Sequence, residues 1–120
     1  MDSQAEQYKL LVKALLPQDI FEFFEIVKVD IDEKAIDVYI DELNTPPVEY
    51  VYEKLLSKGF FDPVPIQDFP IRERAVFLHV RRRKWLIESS GKIISKQWDL
   101  AAKGSRYTKG FATFLKELLG

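Results

Sequence analysis

Cysteine is absent from the 120 residues. That excludes disulfides, cysteine-ligated zinc, iron–sulfur clusters and thiol nucleophiles together. It suits a reducing compartment. Histidine occurs once, as His79. A catalytic histidine needs a nucleophile or an orienting acid beside it, and the sequence supplies neither next to His79. Its place in the middle of an apolar run favours a structural role. The five glycines are scattered, so there is no Gly-rich loop to cradle a phosphate, and no nucleophile elbow or metal-ligand spacing occurs. No apolar run approaches the length of a bilayer span. Asp2 and Glu6 stand ahead of any apolar run, which argues against a signal peptide. The expectation is a cytoplasmic, non-catalytic protein with no cofactor and no metal site.

What is present suits a folded domain. Apolar residues make up 47% of the chain and charged residues 31%, and this length can bury a core without covalent staples. A single domain over residues 1–120 is expected. The net charge of −1 conceals an asymmetry. Residues 1–62 hold 6 Lys and Arg against 14 Asp and Glu, a net −8, while residues 63–120 hold 12 against 5, a net +7. Such a division hints at nucleic acid or at a charged partner, although a pI near 5.9 lies below the usual basic signature of a DNA-binding domain.

The period of the apolar residues changes along the chain. Tyr8, Leu11, Val12, Leu15 and Leu16 mark one face of an amphipathic helix that Pro17 interrupts. A short second helix over Gln18–Phe24 would turn Phe21 and Phe24 inward. Phe24 and Ile26, then Ile36, Val38 and Ile40, alternate on either side of Asp32-Glu33-Lys34 and predict a hairpin. Asp30, Asp32, Asp37 and Asp41 fall on its solvent side, where a solvated face is favoured over a metal site. Beyond the break at Asn44–Pro47, the spacing of Val48, Val51, Tyr52, Leu55 and Leu56 suits a short helix ending at Gly59, though the residue types also suit a strand. After Asp62–Pro65 the strand pattern resumes. Val76, Leu78 and Val80 form one face, and Ala75, Phe77 and His79 the other. Both faces are apolar, which predicts a central strand covered on both sides. Glu88–Lys92 reads as a turn, with Ile93, Ile94 and Trp98 on a returning strand. Tyr107, Phe111, Phe114, Leu115 and Leu118 predict a terminal helix packed on the sheet, with Ser105 or Thr108 as N-cap. The class is α+β: antiparallel strands and a basic two-stranded ribbon, flanked by an N-terminal and a C-terminal helix.

The stretch from Arg72 to Trp85 concentrates the chemistry. It begins Arg72-Glu73-Arg74, runs through the apolar strand, and ends in four consecutive cations, Arg81-Arg82-Arg83-Lys84, before Trp85. Adjacent like charges repel, so a polyanion that exchanges its counterions for them is one explanation. A solvated strand end balanced by carboxylates is the other, and composition leaves the two level. On the first reading the cations cap the ribbon's tip, and a β-ribbon fits the major groove. Arginine forks match phosphates and guanine edges. Trp85 could stack on an exposed base, although core packing is favoured for both Trp85 and Trp98. Lys92, Lys96, Lys103, Arg106 and Lys109 would extend the footprint, each of them singly being ordinary surface.

Several ordered blocks resemble the N-terminal region of bacterial, Bacteroides-type insertion-sequence transposases. They are Gln67–Arg72, Val76–Trp85, Trp98–Thr108 and Phe111–Lys116, with Leu15-Leu16-Pro17 and Lys58-Gly59-Phe60 ahead of them. The resemblance covers roughly residues 15 to 116. It implies a DNA-recognition module that precedes a DDE catalytic domain. The wider group often carries a zinc-ribbon-like N-terminal domain in which the Arg-rich, aromatic stretch leads into a cysteine pair. Here Leu86, Ile87, Glu88 and Ser89 stand where that pair would be expected. The resemblance therefore implies a knuckle held without zinc and a chain with no transposition chemistry of its own. The partners it implies are double-stranded DNA at the transposon end and a separately encoded catalytic subunit. The rival expectation is a protein–protein module whose acidic half docks such a subunit, or whose two halves pair between copies as a homodimer. No membrane partner is expected.

Overall fold

Period-two alternation dominates the middle of the chain, and strands follow from it. The computed structural model describes residues 3–119; Met1, Asp2 and Gly120 lie outside them. Helix α1 (Ser3–Ala14) and a 3-10 turn (Gln18–Glu22) lead into β1 (Phe24–Ile31) and β2 (Ala35–Glu42). A second 3-10 turn (Val48–Tyr50) precedes β3 (Leu55–Phe60), β4 (Val64–Ile71), β5 (Arg74–Arg81), β6 (Arg83–Ile87) and β7 (Ile93–Ile94), and α2 (Lys109–Leu119) follows them. This is the expected α+β class, with a helix toward each end and mostly antiparallel strands between.

The strands form two sheets, ordered β1-β2-β5-β4 and β3-β6-β7. All neighbours are antiparallel except β2 and β5, which run parallel from Ala35↔Ala75 to Asp41↔Arg81. A parallel pair needs a crossover, and residues 43–73 provide it while building β3 and β4 on the way. Only Arg82 separates β5 from β6, and opposite it only Phe61-Asp62-Pro63 separates β3 from β4. Two long strands therefore run antiparallel through both sheets. They close in a tight turn at Arg72-Glu73. Pro65 and Pro70 sit on β4, an edge strand, where a missing N–H is tolerated.

The predicted β1–β2 hairpin is present. Its turn is tied by Asp32, whose Oδ1 accepts from the backbone N–H groups of Lys34 and Ala35 at 2.7 and 2.8 Å. These two bonds, first from Lys34 and then from Ala35, hold the Asp32 carboxyl below its ordinary pKa. A bulge between Ile26 and Lys28 breaks the alternation, so Phe24, Ile26 and Val29 turn toward the core while Val27 is exposed.

The main core lies on one face of the first sheet. Val38, Ile40, Ile66, Val76, Leu78 and Val80 are buried there under Leu16, Ile20 and Phe24, with Trp98 and Leu100 packed at the side. A second, smaller core joins Trp85, Ile87 and Ile94 to Tyr50 and Leu55.

Several expectations are corrected by tertiary pairing. Residues 55–60 form a strand, not the end of a helix, because β6 offers them a ladder from Leu55↔Ile87 to Phe60↔Arg83. β5 is central but covered on one face only; Ala75, Phe77 and His79 on the other face are half-buried. Trp98 leaves the returning strand and packs against Phe23 and Phe24 at 4.9 and 5.0 Å between centroids. Helix α1 turns Val12 toward the core and the turn after it inserts Leu16, leaving Tyr8, Leu11 and Leu15 exposed. Helix α2 packs on the edge strand β4 as expected, through Phe111 and Phe114 against Phe69, but Phe114 stays partly and Leu118 largely exposed. Of the two N-cap candidates, Thr108 is the residue that precedes α2, and its hydroxyl donates to Asp68.

The molecule is a thin plate of 50 × 45 × 20 Å with a radius of gyration of 16.5 Å. A compact domain of this length would have a radius near ~13.6 Å.

Candidate nucleic-acid interface

Extended backbone sends successive side chains to opposite faces. The four cations from Arg81 to Lys84 are divided in this way into two pairs. Arg81 and Arg83 flank the Phe60 ring, with guanidinium carbons 4.2 and 4.6 Å from its centroid. Arg82 and Lys84 flank the neighbouring Phe61 ring at 4.8 and 5.1 Å. One aromatic dipeptide thus serves both faces, and cation–π attraction offsets part of the repulsion between like charges. The cations are not at a ribbon tip. They occupy the waist where β5 passes into β6, because the ribbon partner is the β3–β4 strand and the chain continues past them.

The two pairs differ in their electrostatics. Arg81 makes a fork to Asp41, Nε donating to Oδ1 at 2.7 Å and Nη2 to Oδ2 at 2.6 Å. This bond to Asp41 raises the Arg81 pKa further above its ordinary value. Arg83 donates from Nε to the Glu42 carbonyl at 2.8 Å and from Nη1 to Ser57 Oγ at 3.2 Å. The Glu42 carboxylate is buried. Its Oε1 accepts from the Arg83 backbone N–H at 3.1 Å and from Trp98 Nε1 at 3.0 Å. Asp41 is therefore not on a solvated face, because parallel pairing with β5 sets it beside Arg81. Asp37 is bound in the same way, its Oδ1 2.7 Å from His79 Nε2, while the His79 ring stacks on Tyr39 at 4.5 Å. His79 thus has the orienting acid that the sequence did not reveal.

Arg82 and Lys84 form no ion pair with a carboxylate among the described residues. Arg82 lines an open cleft of about 270 Å³ between the β4–β5 pair and the connector that follows β7, and Arg106 lines it from the connector. Backbone bonds hold Arg106 in place. Its carbonyl accepts from Gln67 N–H at 2.7 Å, and Thr108 N–H returns to the Gln67 carbonyl at 2.8 Å. Buried Asp68 accepts from Thr108 Oγ1 at 2.8 Å and fastens the same segment to β4. Trp98 closes one side of the cleft, with Lys96 Nζ 5.7 Å from its ring centroid. Arg82, Lys84, Lys96 and Arg106 are thereby gathered around one region.

The remaining sequence-predicted residues do not join it. Arg72 is exposed at the β4–β5 turn, ten residues from Arg82, a span of about 30 Å along an extended strand. Arg74 donates to the Asp32 carbonyl at 2.6 Å and clamps the β1–β2 turn. Trp85 is 3% exposed within the second core, so its ring offers no surface for a base. Lys92 and Lys103 are exposed in the β6–β7 turn and the connector, and Lys109 pairs with Asp99 at 2.9 Å. Sequence reasoning missed Phe60, Phe61 and Glu42 as the supports of the basic run. A tandem aromatic pair facing tandem cations is a usable signal, but only once the β3–β6 register is known. Comparison with protein-family models, curated proteins and solved structures finds no match to this chain.

Proposed function

We propose that the chain is a non-catalytic DNA-binding module, corresponding to the transposase N-terminal region that its sequence resembles, and that it engages the transposon end through the face of Arg82, Lys84, Lys96 and Arg106. The observation that carries this reading is the unequal division of the basic run. Arg81 is neutralised by Asp41 and Arg83 is tied to the Glu42 carbonyl and Ser57, while Arg82 and Lys84 are bound only to an aromatic ring and stand beside an arginine whose backbone is fixed from another segment. Guanidinium groups held on aromatic rings lose little freedom when they meet phosphates. Phosphate contacts would set position, and base contacts any sequence preference.

The test is duplex binding across a salt series. Four engaged cations predict a log K against log salt slope of about −3 to −4. Arg82→Ala with Lys84→Ala should weaken binding and reduce that slope by about 2, with stability nearly unchanged. Arg81→Ala should instead lower stability by about 2 kcal/mol, since it strands buried Asp41, and leave the slope intact. A flat salt dependence, or a double variant that binds as tightly as the parent, sinks the proposal. The exposed apolar side of α2, with Phe114, Leu118 and Leu119 uncovered, favours protein docking as the second reading. Light scattering that detects a stable assembly indifferent to DNA would support it.

A further inference from the structure

The cleft beside Arg82 has a composition that duplex binding leaves unexplained. Its floor is apolar, formed by Val80 and Leu100 with the exposed Val64 at the rim, and among the described residues no carboxylate lines it. Phosphates of an intact duplex need only the cations at the rim. An apolar slot walled by an indole has a different use, which is to receive a flat ring. Trp98 is well placed for it, since its Nε1–H is committed to Glu42 and its ring is wedged against Phe23 and Phe24. The ring therefore stays in place as a wall. Arg82 is steadied on Phe61, and the backbone that carries the exposed Arg106 side chain is fixed to β4 by the Gln67 bonds and by the Thr108–Asp68 bond beside it.

We infer that this cleft is a binding site for one unpaired nucleotide of DNA, its phosphate held between Arg82 and Arg106 and its base on the apolar floor beside Trp98. The volume of about 270 Å³ suits a single nucleotide and not a base pair. A paired base would have to leave its stack to enter, whereas an unpaired one enters at little cost. The site thus selects strand ends or locally open duplex over closed duplex. The inference rests on the DNA-binding reading and narrows it.

Two fluorescent DNAs with equal phosphate number separate the two claims: a blunt duplex, and a shorter duplex with a single-stranded tail. Anisotropy titration of the full chain should give about tenfold tighter binding of the tailed DNA, the typical worth of one stacked base. Ala101→Met places a longer side chain into the cleft without changing charge. It should abolish the preference for the tail and leave blunt-duplex affinity unchanged. Should that half-buried position reject the larger side chain, Val64→Glu sets a carboxylate at a site that is 49% exposed. It should cut tailed-DNA affinity about tenfold and blunt-duplex affinity much less. Equal affinity for the two parent DNAs, or a preference that survives the blocking variant, overturns the nucleotide site alone. Failure of both DNAs to bind at low salt overturns the site and the DNA reading together.

Discussion

Glu42 is 1% exposed, and a carboxylate so placed is tolerable only when bonded. Its Oε1 accepts from the Arg83 backbone and from Trp98, while Oε2 has no hydrogen-bond partner among the described residues. One oxygen thus joins the β2 end, the sheet junction and the cleft wall. Glu42→Ala removes the acceptor and leaves a void, so a loss of about 2–4 kcal/mol is expected in urea unfolding. Glu42→Gln keeps an acceptor and discards the buried charge, and should lose less than about 1.5 kcal/mol. Equal losses in both variants would show that the acceptor is not what matters. The sequence reading placed Asp37 and Asp41 on a solvent face because the alternation of Ile36, Val38 and Ile40 points them away from the core. Both do point away from the core, but Asp41 is buried on that other face. What alternation cannot express is the neighbour on that face: His79 and Arg81 arrive beside them from forty or so residues later through parallel pairing.

At the scale of elements, the turn between β4 and β5 departs from its usual chemistry. Arg72 and Glu73 have φ of 51° and 70°, the left-handed values of a two-residue hairpin that favours Asn-Gly. Such values cost a residue with a Cβ roughly 1 kcal/mol. Arg72→Asn with Glu73→Gly should therefore raise stability by about 1 kcal/mol, read as a higher urea midpoint at constant m-value. Duplex affinity should not change, because Arg72 lies at the far end of β5 from Arg82. The turn was legible only as a polar interruption, Arg-Glu being an uncommon pair at these positions. The β1–β2 hairpin was legible as a hairpin, since Asp32-Glu33-Lys34 separates two alternating runs and Asp32 can bond its own turn, but the bulge after Ile26 that turns Val29 inward was not. β3 was not. Val48, Val51, Tyr52, Leu55 and Leu56 satisfy a helical period as well as a strand composition, and only the distant β6 decides between them. The same holds for the candidate site: the run Arg81–Lys84 stands out in the sequence, but its division into a bound and a free pair follows from β3, which supplies Phe60 with Phe61 directly after it, and from β2, which supplies Asp41 and Glu42.

At the scale of the whole molecule, the charge asymmetry of the sequence does not become two oppositely charged lobes. The first sheet takes β1 and β2 from the acidic half and β4 and β5 from the basic half, and the Asp41–Arg81 ion pair joins a charge of each sign within one chain, with the Asp37–His79 and Glu42–Arg83 hydrogen bonds beside it. Pairing of the two halves between copies would have to compete with these contacts inside one chain. The thin plate also divides its apolar burial unevenly. The core of the first sheet gathers nine buried side chains, whereas that of the second gathers three. Burial of that kind sets the local free energy of opening, since apolar area removed from water stabilises by roughly 25 cal/mol per Å². The second sheet should therefore open before the first. Hydrogen exchange provides the measurement. Amides of β2 and β5, paired on both sides in the four-stranded sheet, should exchange only on global unfolding, while those of β3 and β7 should exchange sooner by a sub-global route. Trp85, in the smaller core, should become solvent-exposed at lower urea than Trp98, which packs against the larger one; Trp85→Phe then separates the two fluorescence signals. A single coincident transition for both tryptophans, with equal protection across β3 and β5, would mean that the Glu42 junction couples the sheets into one cooperative unit.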